Sequence, residues 1–299
     1  MRTLILGSEG FIGGHFVEYF LARNSAVSGI DLFEQPTRRY LYTKVSRLSP
    51  ELDELFEKNT FDAVINAAGS GNVPYSMSHP VIDFEANSLD TIRVLESIRK
   101  HQKACKYIHI SSAAVYGNPV QLPVREDDAT MPLSPYGWHK LIAEHICREY
   151  STVYNLPIAI IRPFSVYGTG LKKQLFWDLF QKIKNCNGSV ELYGTGKESR
   201  DFIHVKDLVK AVALILEKGS LTGEVYNLAS GEETTISNVV KMFVSTLKEP
   251  PIYSFNGIVR AGDPLNWCAD MSKLQELNFV PDYKINDGMQ EISTWLQSL

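Results

Sequence analysis

Gly7-Ser8-Glu9-Gly10-Phe11-Ile12-Gly13 follows the apolar run Thr3-Leu4-Ile5-Leu6 and opens a helical pattern that extends to about Arg23. The three glycines have separate mechanical jobs. Gly7 allows a tight turn, Gly10 lets backbone approach a pyrophosphate, and Gly13 lets the helix pack close to the sheet. The helix start offers free N–H groups and a partial positive charge to an anion. Three spaced glycines alone are weak evidence. Here they lie between a strand and a helix, and a second strand, Ala26 to Ile30, ends at Asp31, the acidic position expected some way downstream. A carboxylate there accepts hydrogen bonds from ribose hydroxyls and repels a 2′-phosphate, which favours NAD over NADP. The competing reading makes Asp31 a strand cap, with Arg38 or Arg39 folded onto a phosphate.

The rest of the first half repeats the same alternation. Asp62 to Asn66, Lys106 to Ile110 and Ile158 to Ile161 read as buried strands, and helices are expected near Val81 to Lys100 and Pro135 to Tyr154. Residues 32–50 have no clear period, and a third strand is expected around Tyr40 to Val45. This pattern predicts an α/β fold, a Rossmann-like doubly wound parallel sheet. Beyond Phe164 the chain becomes less regular, but Val225 to Leu228 reads as a late strand returning to the sheet. The expected division is a dinucleotide-binding domain over 1–163, with the strand near 225–229 joining it, and a smaller interleaved substrate lobe over 164–299.

Size and composition agree with this. The 299 residues carry a net charge of −4 and are 44% hydrophobic, enough for a full core and without the basic excess that nucleic acid demands. No apolar run reaches the length of a membrane span. The chain starts on a strand, so no signal peptide is expected. Cys105, Cys147, Cys186 and Cys268 form no Cys-x-x-Cys pair and read as thiols in a reducing cytoplasm. His109, His139 and His204 have no metal-ligand spacing and read as structural, so no metal is expected. Asp207 reads as a helix-start cap or packing contact.

A second cluster carries proton chemistry. Ser134-Pro135 is a cap followed by a proline suited to the first helical position. Tyr136 and Lys140 then lie one turn apart on one face. A free phenol has a pKa of about 10, too high for a base at neutral pH. A nearby ammonium is expected to lower it. Ser112 follows the strand ending at Ile110, and its hydroxyl is placed to hold the reacting oxygen. Tyr-x-x-x-Lys by itself is common on solvated helix faces. Asn66-Ala67-Ala68-Gly69 ends another strand with small residues, as a ligand lying across strand tips requires.

Taken together, these stretches resemble the extended short-chain dehydrogenase/reductase family, in its nucleotide-sugar epimerase/dehydratase branch, over nearly the whole chain. Besides the glycine turn and Tyr136-x-x-x-Lys140, the resemblance rests on Ser111-Ser112-Ala113-Ala114-Val115-Tyr116-Gly117, Arg162-Pro163-Phe164-Ser165-Val166-Tyr167-Gly168, Gly196 with Arg200-Asp201-Phe202-Ile203-His204-Val205, and Arg260 with Gly262-Asp263. It implies catalytic roles for Ser112, Tyr136 and Lys140. It implies NAD contacts from Gly7, Gly10, Phe11, Ile12, Gly13, Asp31, Ala67, Ala68, Gly69, Asn87, Tyr136, Lys140 and Pro163. It implies that Ser112, Tyr136, Ser165, Arg200, Arg260 and Asp263 bind a nucleoside-diphosphate sugar, the arginines through bidentate contacts to its diphosphate. A homodimer through a four-helix bundle is also implied. For each arginine the alternative is an ion pair, with Asp201 or Asp263.

Within the branch, dehydratases resemble one another in an Asp-Glu pair after the catalytic Ser or Thr, and decarboxylases place a Glu there. This chain has Ala113 and Ala114, whose methyl groups move no proton. The resemblance therefore implies 4-epimerisation of a nucleotide hexose through a 4-keto sugar. A reductase of a nucleotide-linked 4-keto-6-deoxy sugar and a non-catalytic dinucleotide sensor remain open. The chain departs from the branch at Ser165, where epimerases usually carry Asn, and at Gly71, where some carry Lys. It also lacks a clear acidic residue near Lys44. Trp267 falls at a gate position, where bulk hints at a plain hexose.

Overall fold

Strand β1 (Arg2–Leu6) alternates its side chains strictly: Ile5 packs into one apolar cluster, while Leu4 and Leu6 pack into another on the opposite face. A strand buried on both faces belongs inside a helix-covered parallel sheet. The computed structural model describes residues 1–33, 39–45, 51–186, 188–258, 262 and 264–299. The expected Arg38, Arg260 and Asp263 roles lie outside them.

After β1 come α1 (Phe11–Leu21), β2 (Ala26–Asp31), β3 (Leu41–Lys44), α2 (Glu51–Lys58) and β4 (Ala63–Asn66). Short helices α3 (Val73–Ser78) and α4 (Pro80–Phe84) lead through a π-turn (Glu85–Leu89) into α5 (Asp90–His101). β5 (Lys106–Ile110), α6 (Pro135–Tyr154) and β6 (Ile158–Pro163) complete the first half. The second half runs β7 (Ser165–Tyr167), α7 (Gln174–Lys184), β8 (Ser189–Leu192), β9 (Ser199–His204), α8 (Val205–Lys218) and β10 (Thr222–Leu228). It ends with β11 (Glu233–Thr235), α9 (Ile236–Ser245), β12 (Ile252–Phe255), α10 (Ser272–Glu276) and α11 (Ile285–Gln297).

Among the described residues a seven-stranded sheet runs in the order β10-β6-β5-β4-β1-β2-β3, and every pairing in it is parallel. The order reverses at β1 and β4, where such sheets open a ligand crevice. The expected third strand is β3, and the late strand is β10, paired along β6. Phe16 and Phe20 of α1 and Leu208 and Val212 of α8 cover one face. Phe56 of α2, Val94 and Ile98 of α5 and Cys147 of α6 cover the other. A third cluster joins Phe176 and Leu179 of α7, Val240 and Phe243 of α9 and Ile292 of α11 around the small sheets β11-β9-β7 and β12-β8.

One boundary differs from expectation. The helix read from Val81 to Lys100 is interrupted by the π-turn. The extra residue per turn carries Asn87, buried, to the β4 loop, where a Cβ on Gly69 would meet its Oδ1 at 2.5 Å. Periodicity cannot see such an insertion, because tertiary contact selects it.

An ion pair lies inside the fold. Arg162, 1% exposed at the end of β6, donates from Nε (2.9 Å) and Nη2 (2.6 Å) to the two oxygens of Glu144 on α6, itself 0% exposed. Ser111 Oγ donates to Glu144 Oε1 at 2.6 Å. Arg162 Nη1 donates to the Tyr116 hydroxyl at 2.8 Å, and that hydroxyl donates to Asn227 Oδ1 of β10 at 2.6 Å. Removing one member of such a pair strands the other charge in the core. Glu144→Ala is expected to cost about 3–5 kcal/mol in urea unfolding. A loss below about 1 kcal/mol would contradict the arrangement.

Candidate active site

The glycine turn is built as its spacing demands. Gly7 adopts φ +76°, and a Cβ there would stand 2.9 Å from Ala68 Cα. A Cβ on Gly13 would stand 1.9 Å from the Gly7 carbonyl oxygen, so only glycine lets α1 start this close to β1. Gly10 is the N-cap of α1 and brings no side chain to it. Phe11 and Ile12 are half-buried in the first helical turn, and Ile12 packs onto the core. Asp31 ends β2 beside this turn. One of its oxygens accepts from Glu9 N (2.9 Å) and the other from Leu32 N (2.7 Å). This is the capping contact, and it also holds the carboxylate against the turn with lone pairs to spare. Arg39 pairs with Glu18 at 2.5 Å.

Ala67, Ala68 and Gly69 follow β4 directly, against Gly7, and Gly69 takes φ +116°. Asn87 closes this side. Its Nδ2 donates to Asp83 O at 3.1 Å, while its buried Oδ1 has no hydrogen-bond partner among the described residues. Pro163 ends β6 at the same sheet edge, buried. A cradle that a side chain would fill, a helix start and an orphaned amide oxygen fit a dinucleotide. The groups that would hold one are the turn 7–13, Asp31, the 67–69 strand tip and Asn87.

The candidate proton-transfer residues meet at the next strand tip. Ser134 caps α6 by accepting from Gly137 N at 3.3 Å, with Pro135 at the first turn, so the helix begins where the sequence places it. Ser112 caps a short 3₁₀ turn (Ala113–Val115) and accepts from Ala114 N at 3.1 Å. The Tyr136 phenol lies near enough to the Ser112 hydroxyl for that hydroxyl to favour its ionised form. Lys140 is buried and donates from Nζ to Ile110 O, 3.0 Å away, at the end of β5. The sequence thus brings Ser112, Tyr136 and Lys140 to one point beside the glycine turn.

The electrostatics differ from expectation. Burial pushes the Tyr136 phenol above its ordinary pKa, the neighbouring Ser112 hydroxyl opposes this, and the Asp83 charge adds to it. Burial, not the lysine, sets the direction at the phenol, and the Lys140 ammonium is turned to the Ile110 carbonyl. Burial lowers Lys140 to about 8, against the attraction of Asp83, and the Lys173 charge lowers it further. Asp83, fully buried on α4, pairs with His139 Nδ1 at 2.7 Å.

Among the sugar-side candidates, Ser165 begins β7 half-buried. Arg200 donates from Nη1 to the carbonyls of Ser199 (2.7 Å) and Leu265 (3.1 Å), and its guanidinium lies 5.5 Å from the Trp267 ring. Trp267 is nearly buried and donates to Gly117 O at 3.0 Å. Asp201 is not the counter-ion of Arg200. It accepts from Ser230 N and Oγ, Gly231 N and Ala269 N. Asp207 accepts the N–H groups of Asp282 and Tyr283, the packing role expected of it. His204 caps α8 and stacks on Tyr283. No described helix is long and apolar enough to cross a membrane.

The model of the NAD dependent epimerase/dehydratase family matches residues 3–229. A Bacillus subtilis protein, an uncharacterized UDP-glucose epimerase, is 30% identical over 100% of this chain and 99% of its own. The UDP-glucuronic acid 4-epimerase from Bacillus cereus, solved with UDP-glucuronic acid and NAD, is 28% identical with a TM-score of 0.90, covering 100% of this chain and 99% of that one. The Thermus thermophilus UDP-glucose 4-epimerase, solved with NAD, is 25% identical with a TM-score of 0.87 over 99% of each chain.

Two outcomes follow from this geometry. Gly13→Ala is expected to weaken NAD binding at least about tenfold by calorimetry; unchanged affinity would contradict the close approach. The folded-state pKa of Lys140 lies below the ordinary lysine value, so its charge is present below about pH 8 and lost above it. The kcat/KM of the enzyme should therefore fall as pH rises through about 8. A profile still level two units higher would contradict the assignment.

Proposed function

The chain belongs to the NAD dependent epimerase/dehydratase family, and from that premise we propose that it inverts C4 of a UDP-hexose with NAD as cofactor. The observation that carries this is the meeting of Ser112, Tyr136 and Lys140 beside a turn that only glycines can build. NAD, held there, would supply reversible hydride chemistry at C4, so no net redox would result. The chain's own groups handle the proton. Tyr136 takes it from the C4 hydroxyl and gives it back after the 4-keto sugar has turned over. Ser112 holds the same oxygen, and Lys140 keeps a positive charge one helical turn away. Ala113 and Ala114 leave the neighbouring carbons untouched. Asp31 and Asn87 with the 67–69 strand tip hold NAD. Ser165 and Arg200, with Arg260 and Asp263 outside the described residues, bind the UDP-sugar.

The domain division follows the same split, with 1–163 and β10 serving NAD and 164–299 mainly serving the sugar nucleotide. The nearly buried Trp267 indole favours a plain hexose or hexuronate over an N-acetylated one. Four unpaired thiols suit a cytoplasmic enzyme that supplies polysaccharide synthesis.

We also infer a homodimer. Trp138, Ile142 and Val153 lie along one stripe of α6, and Val81 and Phe84 flank it on α4. All five are exposed, and a single apolar stripe of this kind suits a helix-bundle interface. Trp138→Glu with Ile142→Glu is expected to give a monomer in sedimentation velocity. A wild-type monomer would contradict the dimer.

Purified protein with NAD and a panel of UDP-glucose, UDP-galactose and UDP-glucuronic acid should interconvert 4-epimers without accumulating NADH. Tyr136→Phe is expected to lose about 10²–10⁴ in kcat. Consumption of NADH with a 4-keto sugar would indicate a reductase instead, and NAD binding without turnover a sensor.

A further inference from the structure

The glycine turn holds no cation. Its charged residue is Glu9, and the first turn of α1 is Phe11-Ile12-Gly13. A helix start offers only a partial charge, whereas a dinucleotide's diphosphate carries two full ones. The segment 168–173, between β7 and α7, crosses from this turn to the β4 loop. On one side Thr169 O lies 3.0 Å from His15 Nε2, and Gly170 faces the Phe11 ring. On the other side the Lys173 ammonium lies 3.3 Å from where a Cβ on Gly71 would stand, so the missing side chain at 71 makes its room. Lys173 is an exposed residue, yet enough protein surrounds its ammonium to lower its pKa. Among the described residues that ammonium has no hydrogen bond and no carboxylate partner. It is near enough to Lys140 for the two charges to repel. A partly desolvated cation, held beside a second cation and unpaired, costs stability unless an anionic ligand meets it. Gln174, which follows it at φ +66°, fixes the backbone at the start of α7 in a strained conformation.

We propose that Lys173 is a ligand-binding residue that grips the diphosphate of the bound dinucleotide from across the crevice, opposite the glycine turn. This rests on the NAD-dependent reading above. The source is the cofactor rather than the sugar nucleotide, because the segment that carries the lysine packs on Phe11 and His15 of α1. The interaction is a charge-assisted hydrogen bond from a mobile point charge, so arginine can replace it.

The test is calorimetric titration of nucleotide-free protein with NAD and, separately, with UDP. Wild type, Lys173→Met and Lys173→Arg are compared at low and high salt. The methionine variant is expected to bind NAD about tenfold more weakly, with UDP affinity unchanged. The arginine variant should recover most of the loss, and high salt should shrink the difference. The melting temperature of the nucleotide-free methionine variant should not fall, since the lysine has no internal partner to lose. NAD affinity within about twofold of wild type in Lys173→Met would overturn the proposal. So would a loss confined to UDP, or to turnover of a hexuronate substrate, because either moves the contact to the sugar nucleotide. A wild type that binds NAD but turns over no UDP-sugar would defeat the epimerase reading, while the NAD titrations would still decide the role of Lys173.

Discussion

The buried pair of Arg162 and Glu144 is the constraint on which the site's geometry depends. Tyr136, Lys140 and Glu144 succeed one another at single-turn intervals on one face of α6. Clamping the third of them to the tip of β6 sets the rotation and height of the other two. Two charge-assisted bonds of 2.6 and 2.9 Å in a dry interior leave little freedom. Ser111 hangs from the same carboxylate, so the neighbouring Ser112 is placed by it as well. The relay through Tyr116 to Asn227 ties in β10, the strand that returns from the far end of the chain. Such a pair is weak evidence of net stabilisation, since desolvation opposes it. Its value here is positional, because rupture is far costlier than an apolar substitute would be.

The electrostatics of the site are those of a place prepared for negative charge. Burial opposes the charge on both Lys140 and Lys173, and the Lys173 charge adds to the effect on Lys140. The phenol is pushed the other way and stays protonated in the nucleotide-free chain. These effects share one origin, the removal of water from the strand tips. A bound diphosphate would relieve such cations, and a cationic nicotinamide would favour the Tyr136 phenolate. The expectation that a nearby ammonium lowers the Tyr136 pKa neglects the desolvation that comes with assembling the site.

What the sequence reveals is what local rules control. The glycine spacing, the Ser134-Pro135 start and the β5 limits need only steric and capping arguments, and α6 spans the residues those arguments select. The π-turn at Glu85–Leu89 escapes such reading, because its cause is the approach of Asn87 to Gly69 from a distant loop. Arg162 is visible as a motif residue, but its partner Glu144 is not, since a buried carboxylate on a helix looks like any surface glutamate. Lys173 gives no signal at all. It follows an irregular loop and looks like one of two adjacent surface lysines, and only the fold brings it to Gly71. Arg200 is legible as a candidate, yet its carbonyl tethers depend on Leu265, which is far away in the chain.

The central claim is that C4 is inverted by passing its hydrogen out and back while Tyr136 handles only the proton of the hydroxyl. The direct measurement is turnover of UDP-glucose carrying deuterium at C4, followed by mass and NMR analysis of the product in ordinary water. The account predicts that the UDP-galactose formed keeps the deuterium at C4. Deuterium washed out into solvent would mean that a side chain takes the C4 proton itself, and would contradict the account.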